Sequence, residues 1–291
     1  MKIGIIGAGK VGCSLGRYFV EQGLGVSGYS SKTKESVETA ATFTNTRAYD
    51  SLYQLVSENN LIFITTPDDC ISEVWAQIVQ YDYNEKNKII CHFSGSLSSD
   101  VFLNREKRGF YACSFHPMYA FSDKFTSYKQ LNQVMFTAEG DKEALAELCP
   151  LLERLGNPVF VIKGKKKERY HAAASLISNM MIGLYQMGID MLVDCGFSET
   201  EARSLVKPLV EGNIQHLLGT SPEQALTGPI ERGDVETIRK HLAQLTDRER
   251  QVYVGLGRTL TEVARRKNPH KDYAVIEELL RADEVQEAKK K

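Results

Sequence analysis

Apolar residues follow two rhythms along this chain. In the first half, short apolar runs alternate with segments whose apolar positions recur every three or four residues. The runs predict strands over 2–6, 26–30, 61–65, 88–93, 111–115, 134–137 and 158–162. Helices fit between them. One carries Val11, Leu15 and Phe19 on one face and stops at Gly23; others cover 70–80 and 142–155. Strands alternating with helices build a mostly parallel sheet, wound on both faces.

The second half keeps only the helical period. From about Glu168 onward no strand pattern appears. Residues 170–193 form one long apolar stretch, broken only by small residues, and are expected to be a buried central helix. Amphipathic segments follow at 199–211, 234–244 and 248–266; Asn268-Pro269 is a stop, and 273–280 is a last short helix. The lysine-rich stretch 163–167 reads as a linker, so the expected domains are 1–163 and 164–291. The fold class is therefore α/β, a doubly wound sheet followed by an all-α domain.

A length of 291 residues agrees with two domains at about 150 residues each. With 42% hydrophobic and 25% charged residues, disorder and collagen-like structure are excluded. The 36 basic and 37 acidic residues leave a net charge of −1, so no general field favours nucleic acid, and the partner is expected to be a small molecule. Cys13, Cys70, Cys91, Cys113, Cys149 and Cys195 include no C-x-x-C pair. Several fall in predicted buried elements, where cysteine acts as a small hydrophobe. A reducing, cytoplasmic location is expected. No apolar run approaches the ~18 residues of a membrane span, so no membrane association is expected. Lys289, Lys290 and Lys291 read as a solvated end.

Gly7-Ala8-Gly9-Lys10-Val11-Gly12 is a full G-x-G-x-x-G that follows a strand and opens a helix. In a Rossmann-type unit the first glycine permits the turn, the second lets backbone approach a pyrophosphate, and the third allows close packing. The helix N-terminus, at Lys10 and Val11, then faces the phosphates. The second strand ends in Ser30-Ser31-Lys32 without the acid that binds an NAD ribose. Two hydroxyls and a lysine suit a 2′-phosphate, so NADP(H) is the expected cofactor; capping of the next helix would also explain the serines. Thr65, Thr66 and Pro67 end the fourth strand and are expected at the cofactor, with Asp68 or Asp69 capping the helix that follows.

Several motifs come in a matching order. They are the opening 2–12, Thr66-Pro67-Asp68-Asp69, His92-Phe93-Ser94-Gly95-Ser96 and Ser114-Phe115-His116-Pro117-Met118. Tyr170-His171-Ala172-Ala173-Ala174 with Asn179 follows, then Thr227-Gly228-Pro229-Ile230 with Arg232-Gly233-Asp234. Over about 1–260 the chain closely resembles the Rossmann-like proteins carrying a DUF2520 C-terminal domain. These look like a branch of the 6-phosphogluconate dehydrogenase-like superfamily, beside 3-hydroxyacid dehydrogenases, pyrroline-5-carboxylate reductases and ketopantoate reductases. The resemblance implies a nicotinamide-dependent reductase, often dimeric through its helical domain. Some members look like an alternative type of ketopantoate reductase acting in pantothenate synthesis.

Ketone reduction needs a polarised carbonyl and a proton for the new alkoxide. In the 3-hydroxyacid dehydrogenase relatives a lysine on the interdomain helix does this, followed four residues later by asparagine. Asn179 resembles that asparagine, and the lysine position then falls on Ser175, a poor proton source. Spacings of four place His171, Ser175 and Asn179 on one helix face. His171 is therefore the candidate acid.

His92 and His116 each end a strand. Ser94 and Gly95, with His116 and Pro117, are expected to line the meeting place of nicotinamide and substrate. No metal is expected, because no carboxylate accompanies His92, His116 and His171 at ligand spacing. Asp234 is a helix cap, and Arg232 either clamps a substrate carboxylate or pairs with Asp234 or Glu231.

Three functions fit: an NADPH-dependent reductase of a small 2-oxo acid, an imine reductase of the pyrroline-5-carboxylate type, or a silent NADP-binding partner protein. A homodimer is expected, because residues 170–193 are apolar all round.

Overall fold

Alternating side chains in the central strands divide the apolar residues between two layers. Ile3, Ile5, Leu61, Phe63 and Cys91 enter one core, while Ile6, Ile62, Ile64 and Ile90 enter the other. A strand sends successive side chains to opposite faces, so continuous apolar runs mark a sheet covered on both sides. The computed structural model of the protein describes residues 1–83 and 87–288, the side chains of 282–288 excepted; Lys289, Lys290 and Lys291 lie outside the described residues.

The elements run β1 (Ile3–Ile6), α1 (Lys10–Glu21), β2 (Val26–Ser30), α2 (Lys34–Thr44), β3 (Arg47–Ala48), α3 (Leu52–Glu58), β4 (Leu61–Ile64) and α4 (Asp68–Ile78). They continue with β5 (Lys88–His92), β6 (Phe110–Pro117), β7 (Phe136–Gly140), α5 (Lys142–Arg154), β8 (Val159–Val161) and α6 (Lys167–Ile177). The sheet order is β3-β2-β1-β4-β5-β6-β7-β8. Only the β6–β7 pairing is antiparallel. The parallel strands therefore end on one edge, and Gly7, Thr65, Ser94 and Pro117 follow or close β1, β4, β5 and β6 there. The expected strands are all present. The two-residue β3 is the addition, too short to leave a period in the sequence.

The chain divides into two compact units, Met1–Asn179 and Met180–Lys291. The sequence boundary at 163 had left α6 with the helical part. It belongs with the sheet, because Lys167 at its start is buried there and bonds to residues following β5 and within β6.

The second unit contains α7 (Asn179–Asp194), α8 (Glu199–Gly219), α9 (Pro222–Ala225), α10 (Pro229–Arg232), α11 (Val235–Gln244), α12 (Asp247–Lys267) and α13 (Ala274–Ala288). Its core gathers Ile230, Ile238, Val254, Tyr273, Ile276 and Leu280. Asp234 caps α11, accepting from the Thr237 backbone N–H at 3.1 Å.

The expected continuous buried helix over 170–193 is not found. Ser178, at φ −115° and ψ −74°, separates α6 from α7. Ile189 is the buried residue of α7, while Ile177 is 73% and Ile182 68% exposed. The periodicity reported an apolar surface, and among the described residues that surface is largely exposed. One apolar run does reach the length of a membrane span: by length and composition alone, Gly164–Asp194 is long and apolar enough to cross a membrane, with a mean hydropathy of 1.3.

Candidate active site

The glycine turn is shaped by its neighbours. Gly7 sits at φ +108°, where a side chain is strained, and its N–H donates to the Ser30 carbonyl at 2.8 Å. Thr65 Oγ1 donates to the Gly7 carbonyl at 2.9 Å and reaches the Ile6 carbonyl at 3.2 Å, tying β4 to the turn. A Cβ on Gly12 would collide with the Gly7 carbonyl and with Thr65 Oγ1, whereas one on Gly9 would meet nothing within 4 Å. Gly12 therefore closes the turn, and Gly9 keeps its outer side open. No side chain at the cap position bonds to the start of α1, so its first-turn N–H groups, at Lys10 and Val11, are available to an anion.

The end of β2 is equally uncommitted. Thr33 caps α2 by accepting from the Ser36 N–H at 3.4 Å, which removes capping as the explanation for Ser30 and Ser31. Lys32 is exposed and makes no ion pair among the described residues. Thr66 Oγ1 is buried without a hydrogen-bond partner, and Pro67 stands at the cap position of α4. The expected capping by Asp68 or Asp69 is overturned. Asp68 lies inside the first turn and accepts from Ser94 Oγ at 2.7 Å and Ser96 Oγ at 2.9 Å.

That carboxylate organises the loop after β5. Ser94 Oγ also accepts the N–H groups of Ser96 (3.2 Å) and Leu97 (3.0 Å), and His92 Nδ1 accepts the Ser94 N–H at 3.2 Å. A Cβ on Gly95 would stand 2.5 Å from His171 Nδ1 and 2.8 Å from His116 Nε2. Two imidazoles from different elements thus close on one glycine, their ring centroids 5.8 Å apart. His116 Nδ1 and the Tyr170 hydroxyl lie 2.9 Å apart, and the same hydroxyl reaches Met118 Sδ at 3.9 Å. His171 Nδ1 is buried and has no partner.

Burial, followed by the charge of Lys167, pushes the His92 imidazole down to about 3. Burial, Lys167 and then His171 push His116 down to about 4. Both rings are therefore neutral at physiological pH. Among the described residues no group of three His, Cys, Asp or Glu side chains is arranged to hold a metal ion.

Lys167 is the residue sequence reasoning missed. The sequence places it in a linker, yet it is 2% exposed and donates to the Ser94 carbonyl at 2.8 Å and to Ser114 Oγ. One signal pointed to it: Lys167 precedes His171 by four residues and continues the polar spacing back by one turn.

The rest of that expected stripe does not assemble. Ser175 is half-buried with no bond to His171; Asn179 is exposed, lies beyond the break at Ser178 and accepts from Ser178 Oγ at 2.9 Å. Of the expected substrate contacts, Ser94, Gly95, His116 and Pro117 share one edge of the sheet. Arg232 lies at the end of α10 in the other unit, and among the described residues it makes no ion pair with Asp234 or Glu231. Glu231 instead faces Lys267 at 3.8 Å.

Residues 1–117 match the Rossmann-like domain, and residues 134–260 match the Domain of unknown function (DUF2520). A search of curated proteins returns no match. Among solved structures, protein TM1727 of Thermotoga maritima is 25% identical over 91% of this chain and 99% of its own, with a TM-score of 0.73. A Bacteroides fragilis protein, titled by inference as an NADP oxidoreductase, is 22% identical over 90% and 98%, with a TM-score of 0.68. A Plasmodium falciparum pyrroline carboxylate reductase with NADP bound is 15% identical over 92% and 96%, with a TM-score of 0.58.

Proposed function

Since this chain joins a Rossmann-like domain to a DUF2520 domain, we propose that it is an NADPH-dependent oxidoreductase of small 2-oxo acids. Ketopantoate (2-dehydropantoate) is the most specific substrate assignment, yielding pantoate for pantothenate biosynthesis. One observation carries the reading: an open glycine turn and a neutral His116 beside an unpartnered His171 nitrogen lie on the same sheet edge. The likeness to the NADP-bound reductase supports the cofactor.

When bound, NADPH supplies the hydride. The chain's part is to hold the cofactor, polarise the carbonyl and deliver a proton. Gly7, Gly9 and Gly12 with the α1 N-terminus take the pyrophosphate. Ser30, Ser31 and Lys32 meet the 2′-phosphate, and Thr65, Thr66, Pro67 and Ser94 border the cofactor. Where the Tyr170 hydroxyl donates to His116 Nδ1, the proton of His116 sits on Nε2, the atom over Gly95. A neutral imidazole in that tautomer donates a hydrogen bond to a carbonyl oxygen without being a strong acid. The proton for the alkoxide then falls to His171.

A pyrroline-5-carboxylate-type imine reductase is the second reading, favoured by Ser175 at the lysine position of the relatives and by the likeness to a pyrroline carboxylate reductase. An imine arrives more basic than a ketone and asks less of the acid. A screen of NADPH oxidation over 2-oxo acids and cyclic imines decides between them. NADPH binding without turnover of either class would leave the silent binding protein as the reading.

Replacing Lys32 with Glu should reverse or erase a preference for NADPH over NADH. A charge-assisted bond to the 2′-phosphate is worth about 1.5–3 kcal/mol, roughly 10–100-fold in affinity. Equal affinities of the parent protein for the two cofactors, measured by fluorescence titration, would end the NADP assignment.

Among the exposed apolar side chains of α7 and α8, Ile182, Leu205 and Leu209 are 54% or more accessible. A second copy of the chain is the proposed cover, with an interface above ~1,000 Å². Light scattering at micromolar concentration should give twice the chain mass; a monomer there counts against the dimer.

A further inference from the structure

The buried ammonium of Lys167 has no part in the reading above. Its environment is unusually built for a side chain at the end of a lysine run. Nζ donates to the Ser94 carbonyl and to Ser114 Oγ and lies 3.8 Å from Glu139 Oε1. Glu139 is itself buried and accepts from the Ser99 N–H at 2.7 Å and from Ser99 Oγ at 3.0 Å. A buried ion pair contributes little net stability compared with apolar packing, so stability alone does not account for this one.

The connections lead to the site by two routes. The peptide between Ser94 and Gly95 is planar and trans, as no cis bond occurs among the described residues. With the Ser94 carbonyl held toward Lys167, the Gly95 N–H points the opposite way. Ser114 lies two residues before His116 on β6, so both side chains leave the same face of the strand. Lys167 and His171 share a face of α6 at a spacing of four. The ammonium thus ties together the supports of Gly95, His116 and His171.

We propose that Lys167 is a positioning residue of this site, fixing the 94–96 loop and β6 through Ser94 and Ser114 and presenting a buried positive charge to the His92 and His116 rings. The consequence for catalysis rests on the reductase reading; the structural role does not. The groups facing His116 are Lys167, His171 and Tyr170 from α6 and Asp68 from α4. Those facing Lys167 are Glu139 from β7, Asp68 from α4, and Cys91 and Cys113 from β5 and β6, with the neutral rings of His92 and His116 beside it. Burial pushes Lys167 down to about 8, against the pull of Glu139. The charge is present at pH 7 and fades through pH 8, so the loop clamp weakens on that rise. Stability moves the other way. The unfolded chain keeps its lysine protonated up to about 10.4, so between these values unfolding takes up a proton and stability rises with pH.

The test is carried out on the full chain without substrate, by NMR titration of the histidine side chains. Lys167→Met with Glu139→Gln removes both charges and keeps the volume. Lys167→Gln removes the charge but keeps a donor for Ser94, and serves if the double variant does not fold. Either folded variant should raise the His116 titration by about one pH unit or more toward the ordinary value near 6.5. An unchanged His116 titration in either folded variant overturns the proposal.

Where turnover is measurable, Lys167→Met with Glu139→Gln should lower kcat about 10–100-fold, within the range for loss of a supporting contact, and leave NADPH affinity within about twofold. Unchanged kcat would overturn the catalytic consequence. A parent protein that leaves NADPH unoxidised with every 2-oxo acid and cyclic imine ends the reductase reading alone, because the histidine titration still decides Lys167.

Discussion

Replacing His171 by alanine lowers turnover by roughly 10²–10⁴, the range for loss of a general acid, while the Kd for NADPH hardly moves. The expectation follows from placement. His171 Nδ1 is buried, unpartnered and directed at Gly95, whereas the glycine turn proposed to take the cofactor follows β1. His116→Ala should also lower turnover, and the two losses should not add, since both rings would serve one transition state. Tyr170→Phe removes the hydroxyl that orients His116 and should give a smaller loss. Stopped-flow or steady-state rates on a verified substrate, with NADPH affinity measured separately, check all three. Full turnover in His171→Ala sinks the proton-donor assignment, and His116 becomes the next residue to examine.

Two glycines that look alike in the motif should behave differently. Gly9→Ala adds a methyl group where nothing lies within 4 Å, at an ordinary φ of −81°. Its stability should stay within about 0.5 kcal/mol of the parent, but the methyl would occupy the approach proposed for the pyrophosphate. NADPH affinity should fall about 100-fold, roughly the 3 kcal/mol of a lost charge-assisted contact. Gly12→Ala drives a methyl into the Gly7 carbonyl and Thr65 Oγ1, so it should lose both binding and about 1–3 kcal/mol of stability. Thermal unfolding and cofactor titration on the same samples separate the two effects. A Gly9→Ala protein that binds NADPH like the parent would remove the turn from the cofactor site.

Much of the first unit was legible because its determinants are local. The run Leu61–Ile64 is apolar at every position, as a strand covered on both faces must be. G-x-G-x-x-G needs only six adjacent residues, and Asp234 declares itself as a cap three residues before Thr237. Pairings across distant segments were not legible. Asp68 has the local appearance of a cap, and only the folding of the 94–96 loop onto α4 gives it two serine hydroxyls instead.

Lys167 shows the limit most clearly. Lys165, Lys166 and Lys167 are identical as letters, yet the first two are exposed and the third is buried. Helical direction and the positions of Ser94, Ser114 and Glu139, contributed by three separate segments, select the one that points inward. The stripe of His171, Ser175 and Asn179 failed for a related reason. Equal spacing shares a face only while the helix continues, and the backbone turns at Ser178.

By itself the sequence determined the alternation of strands and helices, the glycine turn and the change to an all-helical second part. These depend on periodicity and on backbone freedom at single residues. The tertiary structure alone decided which polar groups are buried and with whom they pair. That outcome depends on contacts between segments far apart in the chain, where dehydration makes every unpaired charge or hydroxyl costly.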